Sequence, residues 1–501
     1  MSNRYLTIGL GFLLATVFTA SSCEVTTQKT PIATQPTANE RIETPSTTPN
    51  VVPTATATPP SKEAQAANMP VTLPVLDAMF TDDAFAKELK SKLGLTDEQI
   101  QKLRDVSRET TTNLDESKSD ASSTTDAATR ANEQIQAILG ADKTNQLAEL
   151  VRERWEKGTD EAGNTTTTQT ATASTQNPNG IPTDTRIVVN APAYRMDVFK
   201  DGTLVRSYKI GIGYPEFPLP TGMRDAKTII FNPTWTPPDE PWVRGKIKAG
   251  QKVEAGSALN PLGPIKIPIG LPSLIHGGKS PVRLGGFASH GCVGLTNPEV
   301  QDFAFTLASV TETNLSDSDI SEYEKNKTVT KNVKLGKTVP VELRYDTITV
   351  ENGNLYIYRD VYERGTNTED SLRKVLDGYG VSFDSLTETE KTKILAGLKQ
   401  MALDPSGKTA DGNPKAKTNA KKGDEKEKAP TVTRNISGKK LFVIELAALK
   451  GKGYPAPVNL NTGTQARKPF KINDKNSNQT NVNSNSISNV NNSNVSKPAK
   501  K

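Results

Sequence analysis

Four stretches of this chain hold almost no large apolar side chain, and they cut it into pieces that must fold separately. Residues 24–70 contain 11 Thr and 8 Pro in 47 positions. Residues 159–183 include the run NTTTTQTATASTQNPNG. Residues 404–435 are rich in Lys, Gly and Pro, and the tail 466–501 carries 10 Asn in its last 31 residues. Such segments bury too little apolar surface to offset the entropy lost on ordering a backbone, so each is expected to be a disordered linker or tail. Core-building material is left at 71–158, at 184–346 with a continuation at 347–403, and in a short segment, 436–465, that carries no functional signal. Composition agrees. Of 501 residues, 34% are hydrophobic and 5% aromatic. Adding the 35 Gly still leaves the apolar share below the roughly 45–50% of globular domains.

The same counts exclude several classes. Beyond the first 20 residues no apolar run nears the roughly 18 that a membrane span needs. Two Cys cannot build a disulfide framework or a Cys-based zinc module, and two His leave little for a His-based metal site. No metal or other cofactor is expected. A net charge of +6 gives no argument for nucleic acid, and none is expected as a partner.

Residues 1–23 read as an export signal. Arg4 precedes the apolar run Tyr5–Phe18, and the small residues Thr19 to Ser22 lead to Cys23. A small-residue triplet ending in Cys resembles a bacterial lipoprotein signal, although Ala20 stands where Leu is usual. It implies a lipid on Cys23 and a membrane-anchored protein of the cell envelope, facing periplasm or wall.

Residues 71–158 show helical periodicity. Phe85, Leu89 and Leu93 recur at i, i+4 and i+8, and Gly94 stops the run. Thr96 and Gln99 form a capping-box pattern that restarts it through Ile100, Leu103 and Val106. Ile135, Ile138, Leu139, Leu147, Leu150, Val151 and Trp155 supply further stripes. A small helical packing module follows from this. Its LTDEQ and QIQAIL phrases are faintly similar to periplasmic helical stress proteins.

From Thr185 the period changes to two. Arg186–Val189, Arg195–Phe199, Leu204–Ile210 and Thr228–Phe231 read as strands, as do Val339–Arg344, Thr347–Val350 and Leu355–Tyr358. Asp201-Gly202 and Asn352-Gly353 are hairpin turns. Leu372–Leu376 and Lys391–Met401 read as short helices, and 311–331 as an insertion, either a surface loop or a lid. The centre is therefore mainly β.

The rare residues converge. Both His and one of the two Cys fall in the passage from His276-Gly277-Gly278 to Ser289-His290-Gly291-Cys292. A thiolate is a nucleophile, a thiol is not, and a nearby His can take the proton. The glycines let a substrate approach backbone closely. Amides near Gly291 and Cys292 would form an oxyanion hole.

Together with Gly211-Ile212-Gly213, Pro220-Thr221-Gly222, Asn232-Pro233-Thr234-Trp235, Asn260-Pro261-Leu262-Gly263 and Lys337–Val341, this passage resembles the L,D-transpeptidase catalytic domain, the YkuD fold. The resemblance spans about residues 185–345. It implies a β-sandwich-like fold and a cysteine acyltransferase acting on peptidoglycan stem peptides, with no cofactor. It implies Cys292 as nucleophile and His276 as general base, oriented by the Gly277 carbonyl. His290, Ser289 and Gly291 fall at supporting positions. The family usually has Arg or Asn after the residue that is Val293 here, and this chain has Gly294. Arg283 and Asn297 are the substrate-binding residues considered in compensation, and Trp235, in its Pro-rich segment, is considered separately as a substrate-binding cleft wall. Three acceptors stay open: another stem peptide, water, or a protein to be anchored. So does a non-catalytic wall-binding role. Protein partners are not indicated.

Overall fold

The computed structural model describes residues 69–112, 114, 123–159, 179–237, 247, 250–403, 436 and 438–460. The signal with Cys23 and the bulk of the expected linkers and tail lie outside the described residues, as does Trp242.

The helical module consists of α1 (Leu73–Met79), α2 (Asp83–Leu93), α3 (Asp97–Thr112), α4 (Thr124–Leu139) and α5 (Ala141–Lys157). Local chemistry sets its boundaries. The Asp82 carboxylate accepts the Ala84 amide at 2.9 Å and starts α2. Gly94, at φ +59°, ends that helix in the left-handed region. Thr96 and Gln99 exchange bonds of 3.1 and 3.2 Å ahead of α3, as the capping box predicts. The expected stripes meet in one core, with Phe85, Leu89, Leu103, Ile135, Leu147 and Val151 fully buried and Leu93, Val106 and Ile138 at its margin. Burying each large side chain contributes roughly 1.5–3 kcal/mol.

Residues 184–346 are mainly β. Their strands are β1 (Arg186–Asn190), β2 (Arg195–Lys200), β3 (Thr203–Lys209), β4 (Ile212–Gly213), β5 (Gly222–Phe231), β6 (Ile265–Pro268), β7 (Leu274–His276), β8 (Phe287–Ser289), β9 (Val293–Gly294) and β10 (Lys331–Arg344). Eight of them form a curled sheet in the order β3-β2-β1-β10-β5-β6-β7-β9, and β4 pairs with β8 in a separate two-stranded sheet. Gly211 and Gly294 exchange bonds of 2.9 Å, tying the two sheets together where the chemistry-bearing motif lies. The Asp201-Gly202 turn joins β2 to β3. The pairing of β10 with β5 shifts register between Lys334 and Val339.

Helix α6 (Asn297–Val310) covers this sheet with Val300, Phe303, Ala304 and Leu307. No helix is expected here from the strand-like period, yet the start signal is strong. Thr296 and Glu299 form a complete capping box, with Pro in the first turn. Buried Asp302 on α6 pairs with Arg206 and accepts the Tyr208 hydroxyl at 2.9 Å, locking helix to strand. The insertion before β10 folds into α7 (Asp317–Lys325). Tyr323 packs on Phe231, and the Asn232 amide donates to its carbonyl at 2.8 Å.

A smaller body follows, made of β11 (Ile348–Glu351), β12 (Asn354–Tyr358), α8 (Glu369–Gly378), α9 (Glu388–Met401) and β13 (Leu441–Glu445). The segment without an assignment thus supplies an edge strand, pairing Leu355 with Ile444. Ile348, Leu355, Ile357, Leu376 and Ile394 fill its core with Leu449.

Candidate active site

β7 and β9 are parallel neighbours, with Ile275 opposite Val293 and His276 opposite Gly294. Cys292 immediately precedes β9, so it lies level with Leu274. Side chains two residues apart on a strand share a face, which puts Cys292 and His276 on one side of adjoining strands. Both line one cavity of about 620 Å³.

His276 is buried, and its Nδ1 lies 2.7 Å from the Gly277 carbonyl oxygen. A carbonyl only accepts, so Nδ1 carries the proton and Nε2 keeps its lone pair. Burial, with the charge of Lys279 added, pushes the imidazole down to about 3, which leaves it neutral at ordinary pH. Burial pushes the Cys292 thiol up, opposed by a backbone hydrogen bond at Leu274 and by Lys279. The orientation expected from the Gly277 carbonyl is present.

The supporting residues hold the loop. Ser289 Oγ accepts the Cys292 amide at 3.1 Å and donates to the Cys292 carbonyl. That amide is therefore engaged, and the expected oxyanion-hole role for it does not fit this arrangement. The Gly291 carbonyl accepts from Ser273 Oγ at 2.9 Å. Gly291 itself sits at φ +89°, a turn that glycine makes without strain just before Cys292. His290 meets the rings of Tyr214 and Phe217 edge-on, with centroids 5.1 and 4.8 Å away.

The three residues considered for substrate contact separate. Trp235 lines the cavity, its backbone paired with Val253. Arg283 donates to the Tyr214 hydroxyl at 2.9 Å and reaches the cavity only through that ring. Asn297 is spent elsewhere. Its Oδ1 accepts the Gly278 amide at 2.7 Å, and its side chain lines a different cavity with Tyr323 and Lys327. The insertion 311–331 borders that second cavity too and contributes nothing to the wall around Cys292.

Two contributions have no counterpart in the motif reading. Lys279, three residues after His276, lines the cavity, and its position in the sequence was the available signal. The other is the helical module, whose Ala78, Met79, Asp82 and Arg154 form the facing wall. Arg154 is held there by Asp82 and Glu88 and lies 5.2 Å over the Phe85 ring. The module is seated by Thr72 Oγ1 donating to the Glu216 carbonyl at 2.5 Å and Thr124 Oγ1 to Pro215 at 2.9 Å. Fully buried Arg224 reaches the carbonyls of Gly270, at 2.6 Å, and Trp155. Burial without a carboxylate beside it pushes that guanidinium down to about 9.

Residues 184–341 match the family described as YkuD, the L,D-transpeptidase catalytic domain. This segment is a YkuD domain. No curated protein matches the chain. Among solved structures it is similar to the Ldtfm–avibactam carbamoyl enzyme at 17% identity, covering 32% of this chain and 49% of that one, TM-score 0.20. It is similar to the catalytic domain of the E. faecium L,D-transpeptidase at 20% identity, covering 33% and 100%, TM-score 0.22. It is also similar to an L,D-transpeptidase from Mycobacterium smegmatis at 18% identity, covering 32% and 58%, TM-score 0.19. The chain thus spans about half the length of the first of these. At such identities the likeness fixes neither substrate nor residue roles. The match begins at residue 184, so the helical wall of the cavity lies outside the matched residues.

Proposed function

We propose that the chain is a peptidoglycan L,D-transpeptidase with Cys292 as nucleophile and His276 as base. The reading is carried by one observation: Cys292 and His276 share a face of adjoining strands and one cavity, with His276 Nδ1 tied to a carbonyl. Nε2 takes the Cys292 proton. The thiolate attacks the carbonyl before the terminal D-residue of a stem tetrapeptide, and the breaking amide nitrogen leaves as an amine with the proton from His276. A thioester remains on Cys292. An amine of a neighbouring stem attacks it, His276 accepts that amine's proton, and the thiolate leaves as the new amide forms. A 3→3 cross-link results.

The cavity's apolar wall, with Trp235, Phe217 and Leu274, suits a peptide backbone whose polar groups are read at few points. Incubating the full chain with disaccharide-tetrapeptide and separating the products tests the reading. Dimeric muropeptide supports cross-linking. Tripeptide alone assigns water as acceptor, and transfer to an added protein amine assigns anchoring. No product from folded protein leaves only wall binding. We also propose that Cys23 carries a lipid and anchors the protein at the envelope membrane. Cys23→Ser would then release it from the membrane fraction, and retention there would refute the anchor.

A further inference from the structure

The position after Val293 is Gly294, and the space above it is not empty. A Cβ built on Gly294 would lie 2.7 Å from Cγ, 2.9 Å from Cε and 3.3 Å from Cδ of Lys279. The lysine stem thus occupies the volume that a side chain at 294 would fill. Its backbone is fixed there as well, since the Lys279 amide donates to the Leu295 carbonyl at 3.0 Å and the Leu295 amide to the His276 carbonyl at 2.8 Å. Lys279 lines the same cavity as Cys292 and His276. The charges that act on it are those of Cys292 and Arg283, with no carboxylate among them. A half-buried ammonium without an anion is costly, and it is kept where an anion forms transiently.

We propose that Lys279, laid across Gly294, is the electrostatic partner that stabilises the Cys292 thiolate as His276 takes its proton. This rests on the assignment of Cys292 as nucleophile made above. The chemical need is plain. His276 is neutral at working pH, so no imidazolium stands beside the sulfur before the proton moves. An ammonium lining the same cavity favours the charged form of the thiol whatever the state of the imidazole. Other titratable or charged groups face the site as well. His290 sits on the β8–β9 turn, Arg283 lies toward Lys279 on the loop after β7, and Asp82 with Arg154 stand paired on the helical wall. Of these only Lys279 and His276 act on Cys292 or border it from the strand beside it.

The test is the pH dependence of Cys292 alkylation by iodoacetamide in the full chain, which needs no peptide substrate. It is compared among wild type, Lys279→Met, Lys279→Arg and Gly294→Ala. Lys279→Met should raise the midpoint by at least one unit, slowing alkylation at pH 7 about tenfold per unit. Lys279→Arg should restore it. Gly294→Ala leaves the lysine in the sequence but displaces its stem, and should also raise the midpoint, which keeps the inference open to refutation if Lys279→Met fails to fold. An unchanged midpoint in the folded Met or Ala variant overturns the inference, as does an Arg variant that shifts as far as Met. A lowered midpoint in wild type with no acyl adduct from tetrapeptide upholds Lys279 and overturns the transpeptidase reading instead.

Discussion

The two walls of the cavity differ in what they ask of their residues. In the proposed reaction the sheet wall carries the atoms that change: a thiol, an imidazole and an ammonium, all on β7, β9 and the loops that join them. The helical wall carries atoms that stay put. Arg154 is spent on Asp82 and Glu88, and the Asp82 carboxylate also caps α2. Reactive side chains are left short of partners on one side, and fully partnered ones shape the space on the other. The comparison teaches that reactivity and shape were built from separate parts of the chain, more than a hundred residues apart.

The sharpest way to break this contrast is at the imidazole. His276→Ala should lower turnover by about 10²–10⁴, the usual contribution of a general base, while His290→Ala, which removes ring contacts with Tyr214 and Phe217, should lower it less. Steady-state kinetics on both variants decides. The reverse order would move the base to His290.

The next effect is on stability. Burial holds His276 at about 3 in the folded chain against about 6.5 unfolded. The unfolded state therefore binds more protons between those values, and stability rises with pH across that window. Above about pH 6.5 this group carries no penalty. By pH 4 it should cost roughly 3 kcal/mol, at about 1.4 kcal/mol per unit. Urea unfolding at pH 7 and pH 4 checks it, and His276→Gln should lack this part of the slope.

The helical wall is tested through its seat. Arg224→Met removes the donor to the Gly270 and Trp155 carbonyls and should destabilise the chain by about 2–3 kcal/mol, since buried acceptors lose their partner. Hydrogen exchange should quicken first at the 270–272 turn and the end of α5. A smaller effect is expected from Ala78→Trp, which projects into the cavity from the facing wall. It should cut kcat/KM for a tetrapeptide about tenfold and leave alkylation of Cys292 by a small reagent unchanged. Loss of both would mean that the helical wall positions the sulfur as well as shaping the space.

How much of this was legible in the sequence follows the same division. The chemical residues were readable because His and Cys are rare in this chain and stand together, and because their glycines and the Ser289 position have local tasks. The hairpins at Asp201-Gly202 and Asn352-Gly353 and the caps at Thr96 and Gly94 were readable because turn and cap chemistry acts within a few residues. Helix α6 was not read, though Thr296 and Glu299 announced it, because the strand period on either side dominated. β13 escaped because its partner β12 lies some eighty residues away and its exposed edge leaves only partial alternation. Asn297 was misplaced as a substrate contact, since nothing local revealed that the Gly278 amide would claim it. Arg154 and Ala78 looked like ordinary helix residues, and only docking of the module gives them a cavity to line. Lys279 was close enough in sequence to His276 to notice, but its meaning depends on the empty Cβ position of Gly294 across the sheet.

The central claim is that Cys292 becomes acylated by a stem peptide. Intact-mass measurement of the full chain after incubation with disaccharide-tetrapeptide, beside Cys292→Ala, tests it most directly. The account predicts an added mass equal to the substrate less its terminal D-residue, mapped to the peptide holding Cys292 and absent from the variant. A folded wild-type chain that gains no mass, or an adduct that persists in Cys292→Ala, would contradict it.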